Sequence, residues 1–224
     1  MSGSREAILG NIRGALGRSA LAGETAAALA ERVAAHRRNL MPARATALDH
    51  AAQVDLFQIM AEEVQTSVAR VASAEEVAGE VARYLAAENL PAELVMAPDP
   101  GLDDCGWESR PLLQIRRGKA EATDAVSLTP CIAAVAETGT LMLVSGADTP
   151  TTLNFLPDTH IVVARASQVV AGYEDGWDRV RGLGAWPRTV NFITGPSRTG
   201  DIEQRIQLGA HGPRRLHVVI VGDG

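Results

Sequence analysis

The sequence predicts an α/β fold: a three-layer, mostly parallel sheet with an N-terminal helical appendage. Three observations predict it. Apolar spacing is helical before residue 67 and then changes to short apolar runs that alternate with helical stretches. Runs such as HVVIV and HIVVA are almost wholly apolar, as strands buried on both sheet faces require. Strands that alternate with helices pair in parallel and carry those helices on their faces. The expected division is a helical region at 1–66 and an α/β domain at 67–224.

Taken in order, Ile8, Ile12 and Leu16 recur at i, i+4 and i+8 and predict a first helix. Residues 24–40, with Leu29, Val33 and Leu40, predict a second. Pro42 separates it from a third at 48–64, whose apolar face reads as Leu48, Ala52, Leu56, Ile59 and Met60. The first strand is expected at Val68 to Ala72. Ser73 followed by Glu76 has the spacing of a capping box, and the helix it opens runs to Asn89, before Pro91. Further strands are expected at 93–97, 112–116, 125–129, 140–144, 161–165, 190–194 and 216–221, and helices at 167–183 and 201–208.

Composition narrows the class. Of 224 residues, 46% are apolar and 4% aromatic, so Ala, Val, Leu and Ile must form the core. A chain of this length buries roughly 70% of its unfolded surface and needs no staples. Lys and Arg total 21 against 27 Asp and Glu, a formal charge of −6. Nucleic acid is therefore not the expected partner, since phosphate binding needs a basic surface. Cys105 and Cys131 stand alone without a CxxC, and no two His have metal-ligand spacing. No metal is expected on this chain alone. No apolar run reaches the ~18 residues of a membrane span and no secretory leader is read, so a cytoplasmic location is expected.

Four segments carry polar residues in patterns that chemistry uses. In AETGTLMLV, Glu137 precedes Thr138, Gly139 and Thr140. A glycine between hydroxyl residues makes a tight turn that approaches a ligand closely, and a carboxylate there suits a nucleophile or general base. The alternative is a strand-entry turn with a solvated Glu. In FITGPSRTGDIE, Gly195 ends a strand and Ser197, Arg198 and Thr199 lead towards the expected helix, an arrangement that suits an anion. The alternatives are that Thr199 only caps that helix, and that Arg198 pairs with Asp201 or Glu203. In GAHGPRRLHVVIVG, His211 lies between turn glycines, and His217 reads as a structural strand residue. In TTLNFLPDTHIVV, the residues Asn154, Asp158 and His160 cluster in sequence without a decided role.

Together, ETGTLML, FLPDTHIVVARAS, FITGPSRTGDIE and LGAHGPRRLHVVIV resemble the LUD-domain family, best known from proteins of the lactate-utilisation protein C type. The opening REAILGNIRGAL is similar to that family's first helix. The resemblance implies a fold like the ribose-5-phosphate isomerase, glucosamine-6-phosphate deaminase and CoA-transferase superfamily. It also implies work in oxidising lactate to pyruvate beside partner proteins that carry the iron–sulfur clusters. One departure stands out: the family often has an Asp in the run before ETGT, where this chain has Ile132.

The expected function is a component of L-lactate utilisation that binds a small anionic ligand. Glu137 is the expected catalytic group, with Thr138, Gly139, Thr140, Gly195, Ser197, Arg198, Thr199 and His211 binding. Two alternatives are a stand-alone enzyme acting on a phosphate- or CoA-bearing molecule, and a non-enzymatic docking module. The Glu137 turn and the Gly195–Thr199 loop are expected to face one cleft.

Overall fold

Strands buried on both faces favour apolar residues throughout, and two strands of seven residues come near to this. Thr159–Arg165 (β7) buries its first six residues, and Arg215–Val221 (β12) buries its last six. They pair in parallel, from Arg215 opposite Thr159 to Val221 opposite Arg165. Four more strands complete a parallel sheet: Ser67–Val71 (β1), Glu93–Met96 (β2), Gln114–Arg117 (β3) and Val126–Pro130 (β4), in the order β1-β12-β7-β4-β2-β3. The computed structural model describes residues 2–19, 21–38, 41–199, 207–209 and 211–222.

The chain forms two compact units, residues 1–40 and 41–224. The first holds helices Ser2–Ala15 (α1) and Gly23–Ala34 (α2), and α2 buries no residue. Residues 41–66, read above with the helical region, lie in the second unit as Ala43–Thr46 (α3) and His50–Glu63 (α4). Asp49 caps α4 by accepting from the Ala52 amide at 2.9 Å. The buried face of α4 is Val54, Phe57 and Ala61, while Leu48 and Ile59 are exposed. The face expected from sequence is therefore rotated: α4 turns its one aromatic ring inward, and burying a Phe is worth about 1.5–3 kcal/mol.

Period-two alternation sorts the sheet's side chains onto its faces. Ile161, Val163, Val219 and Val221 pack with Val81 and Leu85 of Val77–Ala87 (α5). Val162, Ala164, Val218 and Ile220 face the other way, onto Val54, Phe57 and Ala61 of α4. That second face also meets strands that the sequence reading placed in a single sheet. Ala133–Val135 (β5), Thr140–Val144 (β6), Val169–Val170 (β8) and Val190–Ile193 (β9) form a separate four-stranded sheet, in the order β8-β5-β6-β9. Its β5–β6 and β6–β9 pairs are antiparallel. Helix Tyr173–Arg181 (α7) covers its outer side through Val180, packed with Ala133, Val135 and Met142.

Other elements shift locally. The helix expected at 167–183 is interrupted: Ser167 lies in a 3-10 turn, β8 follows, and α7 starts only at Tyr173. The Ser73–Glu76 capping box does not form. Glu76 instead accepts from the amide of Ala72, and Ser73 donates to Glu75. A short helix, Thr152–Phe155 (α6), precedes β7. Finally, Arg198–Thr199 (β10) pairs antiparallel with Gln207–Leu208 (β11). The helix expected at 201–208 thus ends as strand, and its residues 201–206 lie outside the described residues.

Candidate functional site

The site is built on the last turn of α4. Gly139 has φ 65°, and a Cβ there would stand 2.4 Å from the Ala61 amide nitrogen. Gly195 has φ 76°, and a Cβ there would stand 2.5 Å from the Val64 carbonyl oxygen. Both turns therefore need glycine twice over, for a left-handed backbone and for close approach to a helix. The Arg198 guanidinium donates to the same Val64 carbonyl. The pairing of Arg198 with Asp201 or Glu203 weighed above falls on residues outside the described ones.

Hydroxyl groups join the two turns. Thr138 Oγ1 and Thr140 Oγ1 are 2.7 Å apart, and each lies 2.9 Å from Tyr173 Oη. Thr140 Oγ1 is also 2.7 Å from Thr194 Oγ1. Thr140 is fully buried and Thr194 is exposed, so the chain of hydroxyls runs from core to surface. Sequence reasoning missed Tyr173, which lies at the start of α7, and treated Thr194 only as a strand end. Glu137 is half-buried; its amide donates to Ala171, and its Oε2 lies beside Gly172.

The GPSR and AHGP stretches come together through Ser197. Its amide donates to the Pro213 carbonyl at 2.8 Å, its carbonyl accepts from Gly209 at 3.0 Å, and its Oγ accepts from the His211 amide at 3.3 Å. Beside them opens a cleft of about 260 Å³ lined by Asn154, His160, Thr194, Ser197, Arg198 and His211, with Phe155 and Phe192 on its apolar side. Among the described residues, no Asp or Glu lines it. Two residues left undecided by sequence, Asn154 and His160, thus sit on this cleft, while Asp158 is exposed and does not. Glu137 does not line it either, so the two turns share a seat on α4 and a hydroxyl link without sharing this lining. The Thr199 side chain lies outside what is described.

Burial pushes the imidazole of His160 down to about 3, leaving it neutral. Its Nε2 lies 2.8 Å from Thr129 Oγ1, and Nδ1 has no partner. His217 is also buried and pushed down to about 4, but it stacks on Tyr84 at 4.0 Å, away from the cleft. Burial raises the Cys105 thiol to about 11 and that of Cys131 to about 12, so neither is a ready nucleophile. Among the described residues, no three His, Cys, Asp or Glu side chains group as metal ligands.

The cleft lies at the amino ends of the parallel strands, beside the second residues of β7 and β12, His160 and Leu216. The loop after Thr194 does follow the carboxyl end of a strand, but that strand, β9, belongs to the second sheet. The carboxyl-end rule for parallel sheets therefore does not account for the cleft.

Residues 54–221 match the family model of the LUD domain. The chain belongs to the LUD domain family. The match takes in both sheets and starts within α4, so the seat of the two turns is part of the LUD domain. Lactate utilization protein C of Deinococcus radiodurans is 38% identical over 109 residues, 48% of this chain and 51% of that protein. The protein of the same name from Bacillus subtilis is 34% identical over 110 residues, 47% and 45% of the two chains. The matched part thus spans about half the length of these curated relatives. A crystal structure of a DUF162 family protein from Deinococcus radiodurans is similar with a TM-score of 0.61 and 28% identity, covering 78% of this chain and 99% of that one. Among the described residues, no helix is long and apolar enough to cross a membrane.

Proposed function

We propose that this LUD-domain chain is a component of L-lactate oxidation that binds a small carboxylate in the cleft between Ser197, Arg198 and His211. Partner proteins carry the iron–sulfur clusters, and the system works in the cytoplasm. One observation carries the ligand assignment: the two most motif-like stretches converge on a cleft that contains an Arg and a His and, among the described residues, no acid. A guanidinium fork matches a carboxylate in shape as well as charge. At about 260 Å³ the cleft falls below the roughly 300–1,000 Å³ that drug-sized ligands occupy, which suits a short acid. The names of the relatives supply the lactate context.

An acyl transferase working through CoA fits less well. It needs a carboxylate at the end of a long pocket, and Glu137 is outside this short one. Glu137 is better placed to hold the turn beside Gly172 than to attack a ligand in the cleft.

The test is Arg198→Ala, with lactate and pyruvate binding measured by calorimetry and growth on lactate measured in a strain that relies on this gene. Losing a charge-assisted contact of about 1.5–3 kcal/mol weakens binding roughly ten- to a hundredfold. The lost bond to Val64 is exposed and costs at most about 1.5 kcal/mol of fold stability. Arg198→Lys keeps the charge without the fork and recovers binding in part. Unchanged binding and normal growth in Arg198→Ala overturn the proposal.

A further inference from the structure

A second cleft, of about 480 Å³, lies at the opposite end of the parallel sheet. The strand order explains why it is there. From β2 the chain passes to β3 on one side, whereas from β4 it passes to β7 and then β12 on the other. Adjacent strands whose connections leave in opposite directions open a crevice outside their carboxyl ends, and open α/β sheets bind ligands there. The cleft occupies that crevice. Asp99 and Gly101 follow β2, Pro130 ends β4 with Cys131 and Ile132 after it, and Arg165 ends β7.

Hydrogen bonds hold its walls in register. Gln168 accepts from the Arg165 amide at 2.8 Å and donates to the Cys131 carbonyl at 2.7 Å, joining the turns after β7 and β4. Arg165 Nη2 donates to the Gly101 carbonyl at 3.3 Å, joining the turn after β2. Arg165 is the cation of the lining and forms no ion pair among the described residues. Asp99 is already used in capping Gly101, and Asp148 is exposed in the turn after β6. Ile132 makes one wall apolar. At the rim stands Trp186, 66% exposed. The other two tryptophans are anchored, Trp107 by donating to Leu102 and Trp177 against Phe192.

We infer that this switch-point cleft binds a mononucleotide. Arg165 takes the phosphate, Trp186 stacks on the base, and the Asp148 carboxylate accepts from a ribose hydroxyl. Each group suits its part: a fork for phosphate, a free π-face for a planar ring and an acceptor for a diol. The volume lies within the range used by ligands of this size. A shorter anion would leave Trp186 unused.

The test is titration of the full chain with AMP, GMP and FMN, read by calorimetry and by quenching of tryptophan emission. At least one binds saturably below millimolar concentration, and adenosine and inorganic phosphate each bind at least tenfold more weakly than AMP. Arg165→Ala lowers nucleotide affinity ten- to a hundredfold and removes the preference for AMP over adenosine. Trp186→Ala removes the quenching and weakens binding, and Trp186→Phe restores the affinity. Melting curves establish that each variant is folded. Should Arg165→Ala not fold, Arg165→Lys replaces it and must still weaken binding. No saturable binding of any of the three nucleotides overturns the inference. So does binding that neither Arg165→Ala nor Trp186→Ala alters.

Discussion

At the residue scale, two glycines do more for the site than its acid. Gly139 and Gly195 let separate turns press on one helix end, and any side chain would meet the α4 backbone, which cannot step aside. Gly139→Ala combines a positive φ with a backbone clash. We expect it to cost about 2–4 kcal/mol, towards the upper end of single substitutions. Gly195→Ala is expected to cost a similar amount, and urea denaturation of both variants checks this. By contrast Gly184, with φ 74°, has open space around it, so Gly184→Ala bears only the backbone cost. The need for glycine at 139 and 195 was legible in the ETGT and TGPS turns. What they approach was not, because Ala61 and Val64 are more than seventy residues away in sequence and carry no motif.

At the element scale, the reading succeeded where burial repeats along one strand or helix. It failed where pairing decides. β7 and β12 announce themselves by continuous apolar runs, and α5 by its periodic face. Nothing in TLMLV or VNFI says that they leave the main sheet and pair antiparallel with each other. The two-residue strand Val169–Val170 is too short to interrupt a helical pattern visibly, yet its register with Ala134 and Val135 fixes where α7 begins. The N-terminal helices make the opposite point. Their apolar stripe, Ile8, Ile12 and Leu16, is plain in sequence and exposed in the structure. Helices of 14 and 12 residues are marginal on their own in water. Among the described residues, the core clusters contain none before Ala45. A peptide of residues 1–40 should therefore show little helix on its own in water, as far-ultraviolet circular dichroism will measure.

At the scale of the whole molecule, the two buried imidazoles set how the fold meets acid. An ordinary His titrates near 6.5, and burial lowers His217 to about 4 and His160 to about 3. The folded state thus binds fewer protons than the unfolded state between those values. Stability is whole above about 6.5 and falls as pH drops, by up to about 1.4 kcal/mol per pH unit for each His. The contribution from His217 stops falling near pH 4 and that from His160 near pH 3. Urea midpoints measured from pH 7.5 to 4 should decline, with the steepest loss below pH 6. His217→Gln should flatten the decline, since one of the two buried imidazoles that drive it is gone. A midpoint that is constant across that range would show these rings to be charged or solvated in the fold.

The strand order also governs how the chain is made. β12 is the last strand in chain order, yet it lies between β1 and β7, and Ser67 meets His217 150 residues later. At 5–20 residues per second, a ribosome needs roughly 7–30 s to release β12, the partner of β1. The group β7-β4-β2-β3 is complete earlier and can assemble first. Until β12 emerges, β7 offers a long unpaired apolar edge and β1 has nothing to pair with, which is the kind of surface nascent-chain chaperones cover. Closing the sheet is thus an insertion between two waiting strands, and a stop codon anywhere before residue 215 leaves them both unfilled.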